Sequence, residues 1–525
     1  MNYYAHLFYA TLPETVLEIA ALFVLVVDLT FLRKAELKTR ALSASLLGVL
    51  GCAVALWAQL WSVSHGVWGF GVGDTHGLLL ANIDSAAAAQ AGILILTALT
   101  LLLLIDSRFT RHVGEFVAVV LMSAAGGLLI AAAQDLLIIF LGLELLSLGL
   151  YILTAFAKQS GRSAEAAIKY YLFGGMSAAF LLFGFSYLYG ISGSTNLDEV
   201  MQAIHRSNGP SVDPLLLVAL VMIAAGLGFK VAAVPFHLWA PDTYEGAPAP
   251  GAAFIASVSK VASFALLISI GVAGLRVFDA AGASATPLAD QGFRGPWSVV
   301  LTILSLASML FGNLAALAQI SVRRLLAYSA IAHAGYILLA LAYFRVDASA
   351  PYESAGYYHG ATAMLYYILT YGLTTIGAFG VVGVVERATG SDRMDAFLGL
   401  HKRNPLLAAV LLVVFLSLAG IPPLVGFWAK FNLFAVVLGV GGGVIPFALV
   451  ALAVMMSAVS LYYYLQVLKR AFVMPAVDDP AHRPDKIVTH PVTMLVLLAI
   501  AAAVVFMGCF PALLQDWIAS FYLKL

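Results

Sequence analysis

The sequence predicts an all-α polytopic membrane protein with about fourteen transmembrane helices, two inverted five-helix repeats among them, and breaks in the seventh and twelfth. Three observations lead there. Only 10% of the 525 residues are charged and 62% are hydrophobic, whereas a soluble domain carries roughly 25% charged residues. The mean hydropathy of +0.98 is spread over the whole chain rather than held in one anchor. The Lys and Arg residues, finally, fall into alternate loops. Twenty-seven basic residues balance 27 acidic ones, so no charge excess points to nucleic acid or to an acidic partner.

Apolar runs long enough to cross a bilayer are bounded by polar, Gly or Pro-containing breaks. A first segment, 1–113, holds three, near 14–32, 41–62 and 84–105. Residues 1–13 contain no Lys or Arg, so the first run reads as a retained span rather than a cleaved leader. The first repeat, 114–275, holds runs near 114–133, 136–157, 164–190, 214–240 and 252–275. A second, inverted repeat at 297–470 holds runs near 297–319, 325–344, 358–386, 405–438 and 446–468, and a last helix near 491–512 opens the segment 491–525. Cys52 and Cys509 sit singly in apolar runs and read as buried small hydrophobes.

The loops orient the chain. Those at 33–40, 108–111, 158–162, 323–324, 387–403 and 469–486 carry eighteen Lys and Arg, and the opposite loops carry only Arg206, Arg276, Arg294, Arg345 and Lys524. Cytoplasmic loops hold the basic excess, so both termini are expected in the periplasm.

Four lysines, Lys169, Lys230, Lys260 and Lys430, fall inside predicted spans together with one acid identified there, Glu144. A charge at mid-bilayer costs at least about 2.5–3.5 kcal/mol and persists where it meets a partner or water. Depth separates function from snorkelling: Lys260 lies roughly 14 Å and Glu144 roughly 12 Å along their helices, Lys169 only about 8 Å. Lys169 therefore reads equally well as a snorkelling side chain. Ser147, Tyr151, Thr154 and Lys158 continue one polar stripe from Glu144, and Ser329, His333, Tyr336 and Tyr343 form another. His333 reads as a proton carrier or as a hydrogen-bonded structural histidine. Glu144 and Lys230, the opposite charges of one repeat, are expected to pair, and Ser257 and Ser263 to hold water beside Lys260.

Two spans look broken. GLGFKVAAVPFHLWAPDTYEGAPAPG places Pro235 and His237 after Lys230, and LAGIPPLVGFWAKFN places Pro422 and Pro423 before Lys430. Proline removes an intrahelical hydrogen bond, and such gaps persist in membranes where they are buried or line a wet cavity. Nothing reads as a phosphate loop, dinucleotide fingerprint, zinc spacing or nucleophile elbow, so no catalytic or metal site is expected. Buried lysines that gain and lose protons fit ion translocation, with protons favoured because a charged lysine cannot ligate sodium.

The runs FKVAAVPFHLWAPDTYEGAPAP with SVSK, GLELLSL, YSAIAHAGY and GIPPLVGFWAKF resemble the antiporter-like membrane subunits of respiratory complex I, over nearly the whole chain. Lys430 in place of a glutamate, and only about a dozen residues after the last span, point to the subunit N branch. The resemblance implies fourteen helices, two inverted repeats and proton pumping in a bacterial inner membrane, driven by quinone reduction in other subunits. It assigns proton carriage to Glu144, Lys230, Lys260 and Lys430, matches His333 to the family's hydrophilic axis and Lys169 to an accessory position; His237, in the seventh-span break, joins the candidates. It implies no cofactor in this chain, with NADH, FMN, iron-sulfur clusters and quinone held by partner subunits. The implied partners are related antiporter-like and small membrane subunits and the lipid bilayer, with no redox active site in the chain itself. A sodium/proton antiporter or hydrogenase-linked relative, and a structural subunit whose charges fix packing, are the alternatives.

Overall fold

The computed structural model describes residues 8–64, 69–71, 78–81, 85–207, 214–280, 296–344, 355–439, 443–475 and 486–522. Both chain ends, Arg294, Arg345, Arg483 and Lys524, and the side chains of Arg206 and Arg276, lie outside the described residues.

Helix α1 (Leu12–Val26) runs on through a π turn at Val27–Phe31, followed by α2 (Leu37–Ser64), a short antiparallel pair β1 (Gly69–Gly71) and β2 (Leu78–Ala81), and α3 (Ser85–Leu104). Asp28 in the π turn is buried and takes two bonds from Arg40 Nε and Nη2 at 2.8 and 2.5 Å, which locks α1 to α2. Then come α4 (Val113–Ala132), α5 (Leu136–Thr154), α6 (Gly161–Ser192), α7 (Leu197–Ser207) and α8 (Pro214–Val231). After α8 the chain breaks and resumes as α9 (Trp239–Gly246), α10 (Ala249–Ala256) and α11 (Val258–Ala280). The rest is α12 (Pro296–Leu317), α13 (Val322–Ala342), α14 (Ala355–Thr389), α15 (Leu400–Arg403), α16 (Pro405–Ala419), α17 (Val425–Leu438), α18 (Val444–Phe472), α19 (Pro491–Cys509) and α20 (Pro511–Tyr522).

Twelve helices among the described residues are long and apolar enough to cross a membrane. The α1 helix with its π turn and the broken pair α16–α17 complete the predicted spans. Local chemistry sets the ends. Asp135 accepts from Leu137 N and Ile138 N ahead of α5, Ser321 from Arg324 N ahead of α13, and Asn404 from Leu407 N ahead of α16, where Pro405 fills the first turn.

The two halves close in the same way. The residue capping α5, Asp135, bridges to Asn196 beyond α6, and the residue capping α13, Ser321, bridges to Arg393 beyond α14. Helices α13 and α14 and the α10–α11 pair are buried on nearly all sides, whereas α2, α6, α18 and α19 turn rows of exposed Leu, Phe, Trp and Met outward. Apolar exteriors of this kind suit lipid and neighbouring helices, and the polar residues collect in the centre.

Several expectations need correction. The eighth span is also interrupted, at Ser257, whose φ of −113° and ψ of −75° leave the helix three residues before Lys260. Arg323, expected in a loop, is 3% exposed inside α13 because it is drawn into contact with Glu386 and the Ala247 carbonyl. Cys52 is buried but Cys509, the last residue of α19, is exposed. The amphipathic α7 has no predicted counterpart; Leu197, Val200 and Ile204 form its buried stripe.

Candidate functional site: a file of buried lysines at two helix breaks

Proline explains where the lysines go. In an α-helix the carbonyl of residue i accepts from the N–H of residue i+4, and proline has none. Pro235 therefore orphans the carbonyl of Val231, the last residue of α8. The Lys260 ammonium, arriving from α11, donates to that oxygen. Pro422 and Pro423 likewise orphan Leu418 and Ala419 at the end of α16, and Lys430 Nζ donates to those two carbonyls at 3.1 and 2.9 Å. A third bond, to Ser457 Oγ at 2.8 Å, uses the last Lys430 donor. Helix C-termini carry partial negative charge, so each break offers an ammonium both acceptors and a favourable field within a buried setting.

Around the second break the backbone is shaped to the lysine. Gly420 closes α16 at φ +90°, and a Cβ there would stand 3.0 Å from Lys430 Cδ and 3.3 Å from Nζ. Gly426 N donates to Ser417 Oγ at 3.2 Å, bringing the start of α17 against the end of α16.

Lys230, Lys260 and Lys430 are 7%, 2% and 5% exposed. Lys230 Nζ donates to Ser147 Oγ at 2.5 Å, and Ser147 in turn donates to the Leu143 carbonyl. Glu144 is half-buried one turn away at the edge of α5, beside the exposed Leu141 and Leu148. No direct contact joins Glu144 to Lys230, although the carboxylate acts on the ammonium through space; Ser147, on the same polar stripe, takes the direct bond. Aromatic faces supplement the bonds. Lys230 lies 5.7 Å from the Phe229 ring, Lys260 5.9 Å from Trp239 and Lys430 5.5 Å from Tyr336.

Beside the second break stand polar groups of α12, α13, α14 and α18. His333 Nδ1 meets Tyr367 OH at 2.5 Å, its ring lies 4.8 Å from Tyr371, and its Nε2 has no protein partner. A cavity of about 10 Å³ adjoins it, lined by Thr370, Thr374, Ser417 and Leu418 among others; that is on the order of one water. Asn313 Nδ2 donates to Tyr336 OH and Tyr463 OH to Asn313 Oδ1, both at 3.2 Å. Such a file of hydroxyls, imidazole and ammonium groups can pass a proton, because each member both accepts and donates in one of its states.

Residues 133–457 match the family described as NADH:quinone oxidoreductase/Mrp antiporter, transmembrane. The chain is 46% identical to NADH-quinone oxidoreductase subunit N 2 of Acidobacterium capsulatum, covering 98% of this chain and 99% of that one. It belongs to this antiporter-like family. Subunit N of Desulfovibrio desulfuricans is 38% identical over 98% of this chain and 96% of its own. A chain of respiratory complex I from Thermus thermophilus superposes with a TM-score of 0.72 at 32% identity, over 96% of this chain and 98% of that one. An archaeal membrane-bound sulfane sulfur reductase chain, 22% identical with a TM-score of 0.80 over 98% of both chains, shares the fold.

Other candidates within this family member fall elsewhere. His237 lies in the first break with its ring 4.7 Å from Phe311 and Nδ1 without a partner. Lys169 stands apart from the file: its side chain is 42% exposed and bonds Glu165 at 2.7 Å and Asp242 at 2.8 Å. Asp242 also pairs with Arg324 at 2.7 Å, and Arg324 with Glu245 at 3.0 Å, so α6, α9 and α13 are tied at one face. Ser257 Oγ donates to the Ala253 carbonyl at 2.6 Å rather than facing Lys260, while Ser263 Oγ has no protein partner.

Sequence reasoning missed Arg323, Asn313, Tyr367 and Ser457. The first had a signal, since an Arg-Arg pair directly ahead of an apolar run can enter the helix. Ser457 had none, because its role depends on how α18 packs against the second break.

Proposed function

We propose that this chain moves protons across a bacterial inner membrane as an antiporter-like subunit of an NADH-quinone oxidoreductase. Glu144, Lys230, Lys260, His333 and Lys430 form the path, with His237 beside the first break. The observation that carries this reading is the match between proline-orphaned carbonyls and buried ammonium groups at both breaks. A lysine seated on a helix break is held while charged, and it can release its proton when the break rearranges. Lys169 belongs to the charged face network and acts on the path only through α6, α9 and α13.

Redox chemistry lies in partner subunits, which carry NADH, FMN, iron-sulfur clusters and quinone. Among the described residues no group of three or more His, Cys, Asp or Glu could hold a metal, and the proposed path needs none. Other antiporter-like and small membrane subunits are the partners. The basic loops face the cytoplasm and both termini the periplasm. Helices within 114–275 and 297–470 act as two inverted units; the matching bridges Asp135–Asn196 and Ser321–Arg393 support this division.

The test is Lys260→Ala in the assembled complex, with subunit content, NADH-quinone turnover and proton pumping measured in the same membranes. Assembly with loss of pumping and slowed turnover supports the reading. Full pumping by an assembled variant contradicts it.

A further inference from the structure

Glu14 lies outside the lysine file and outside the matched segment 133–457, yet it is among the most enclosed acids of the described residues, at 4% exposure. It occupies the first turn of α1, two residues after Leu12, or about 3 Å along the helix. Gln59 of α2 and Gln90 of α3, 1% and 0% exposed, are linked to it. Gln59 Nε2 donates to Gln90 Oε1 at 2.5 Å. Gln90 Nε2 donates to Glu14 Oε1 at 3.4 Å and to the Leu128 carbonyl of α4 at 3.2 Å.

Two oxygens in this cluster have no partner, Glu14 Oε2 and Gln59 Oε1. The cluster is thus short of donors, not of acceptors. An ionised Glu14 would be met only by its own backbone N–H and the partial positive charge at the start of α1. The charged group acting on Glu14 is Glu18, of the same sign, on the exposed side of α1. Helices α2, α3 and α4 contribute the two glutamines and a carbonyl to the cluster, and no described cation is bonded to it. A buried carboxylate without a counter-charge is costly in a membrane protein. One proton on the carboxyl removes the charge and supplies an O–H donor.

We propose that Glu14, Gln59 and Gln90 form a proton-binding site within the first three helices, in which Glu14 carries a carboxyl proton exchangeable with the aqueous face nearest the start of α1. The site stands on this geometry alone and does not depend on the pumping path.

Infrared difference spectra of the purified, assembled complex, wild type against Glu14→Gln, test it. The expected result is a carboxylic acid C=O stretch in the wild type that is lost in Glu14→Gln and shifts when the wild type is moved into D₂O. A wild-type spectrum in which Glu14→Gln removes only a carboxylate band overturns the proposal, as does an acid band that never responds to D₂O. If Glu14→Gln fails to assemble, Glu14→Asp keeps the acid: a displaced C=O stretch supports the site, and an unchanged acid region overturns it. Failure of the pumping account would leave these spectra unaffected.

Discussion

The two helix breaks meet the same problem in different ways. At the second, one lysine serves both orphaned carbonyls and a serine from α18, so all three Lys430 donors are used. At the first, the work is divided. Lys260 comes from another helix to the Val231 carbonyl, and Lys230, on the broken helix itself, bonds Ser147 instead. A saturated ammonium must break a good bond to lose its proton, whereas one with a single protein acceptor and an aromatic face is less tightly committed. On the proposed path, Lys430 is then the anchored station and Lys260 the mobile one.

The largest effect is expected from Lys430→Ala. It leaves two buried carbonyls without donors, at about 1–3 kcal/mol each, and removes the station itself. Proton pumping should be lost and amide hydrogen exchange around 420–424 should accelerate; a variant with unchanged exchange would show that the carbonyls do not need the lysine. Gly420→Ala should come next. It forces a side chain into a left-handed conformation, worth about 1–3 kcal/mol, and towards Lys430, so pumping should fall severalfold with Lys430 still present. Wild-type pumping there would mean that the seat tolerates displacement.

A smaller effect is expected from Ser147→Ala, which removes a bond to a charged group worth about 1.5–3 kcal/mol. Glu144→Gln should slow pumping with assembly intact, and less than Ser147→Ala does, since the serine bonds Lys230 directly and the carboxylate acts on it only through space. The reverse order in a side-by-side assay would restore the direct pair.

The smallest effect concerns the charged face. Burial raises the Asp242 carboxyl, but bonds from Lys169 and Arg324 outweigh it and hold Asp242 below its ordinary value of 3.8. A depressed carboxylate stabilises the fold above its unfolded pKa, and that contribution disappears as pH falls through the folded value. The α6–α9–α13 link should thus be indifferent to pH from neutrality down to about 4 and weaken only below that. Thermal melting of the solubilised complex across that range checks it; a step in wild type near pH 6, absent in Asp242→Asn, would contradict the assignment.

Much of this was readable in the sequence, for identifiable reasons. Apolar runs and alternating basic loops located the spans because a bilayer leaves the backbone few choices. Pro235, Pro422 and Pro423 marked the breaks because a missing N–H acts locally. Partners were not readable. Which lysine reaches which carbonyl, and that Ser147 intercepts Lys230, depend on packing between helices far apart in the chain. Glu14 was overlooked because it is the first residue of the 14–32 run and so stands at a boundary in the sequence, whereas α2 and α3 enclose it.

The central claim is that Lys260 releases its proton during turnover. Lys260→Arg tests it most directly, because arginine keeps a positive charge and hydrogen-bond donors for the Val231 carbonyl but does not deprotonate in proteins. Proton uptake into vesicles containing the assembled variant, measured during NADH oxidation beside wild type and Lys260→Ala, should be lost in both variants at full subunit content. Pumping at the wild-type rate by Lys260→Arg would show that Lys260 acts as a fixed charge, and the account of a proton-carrying lysine would be wrong.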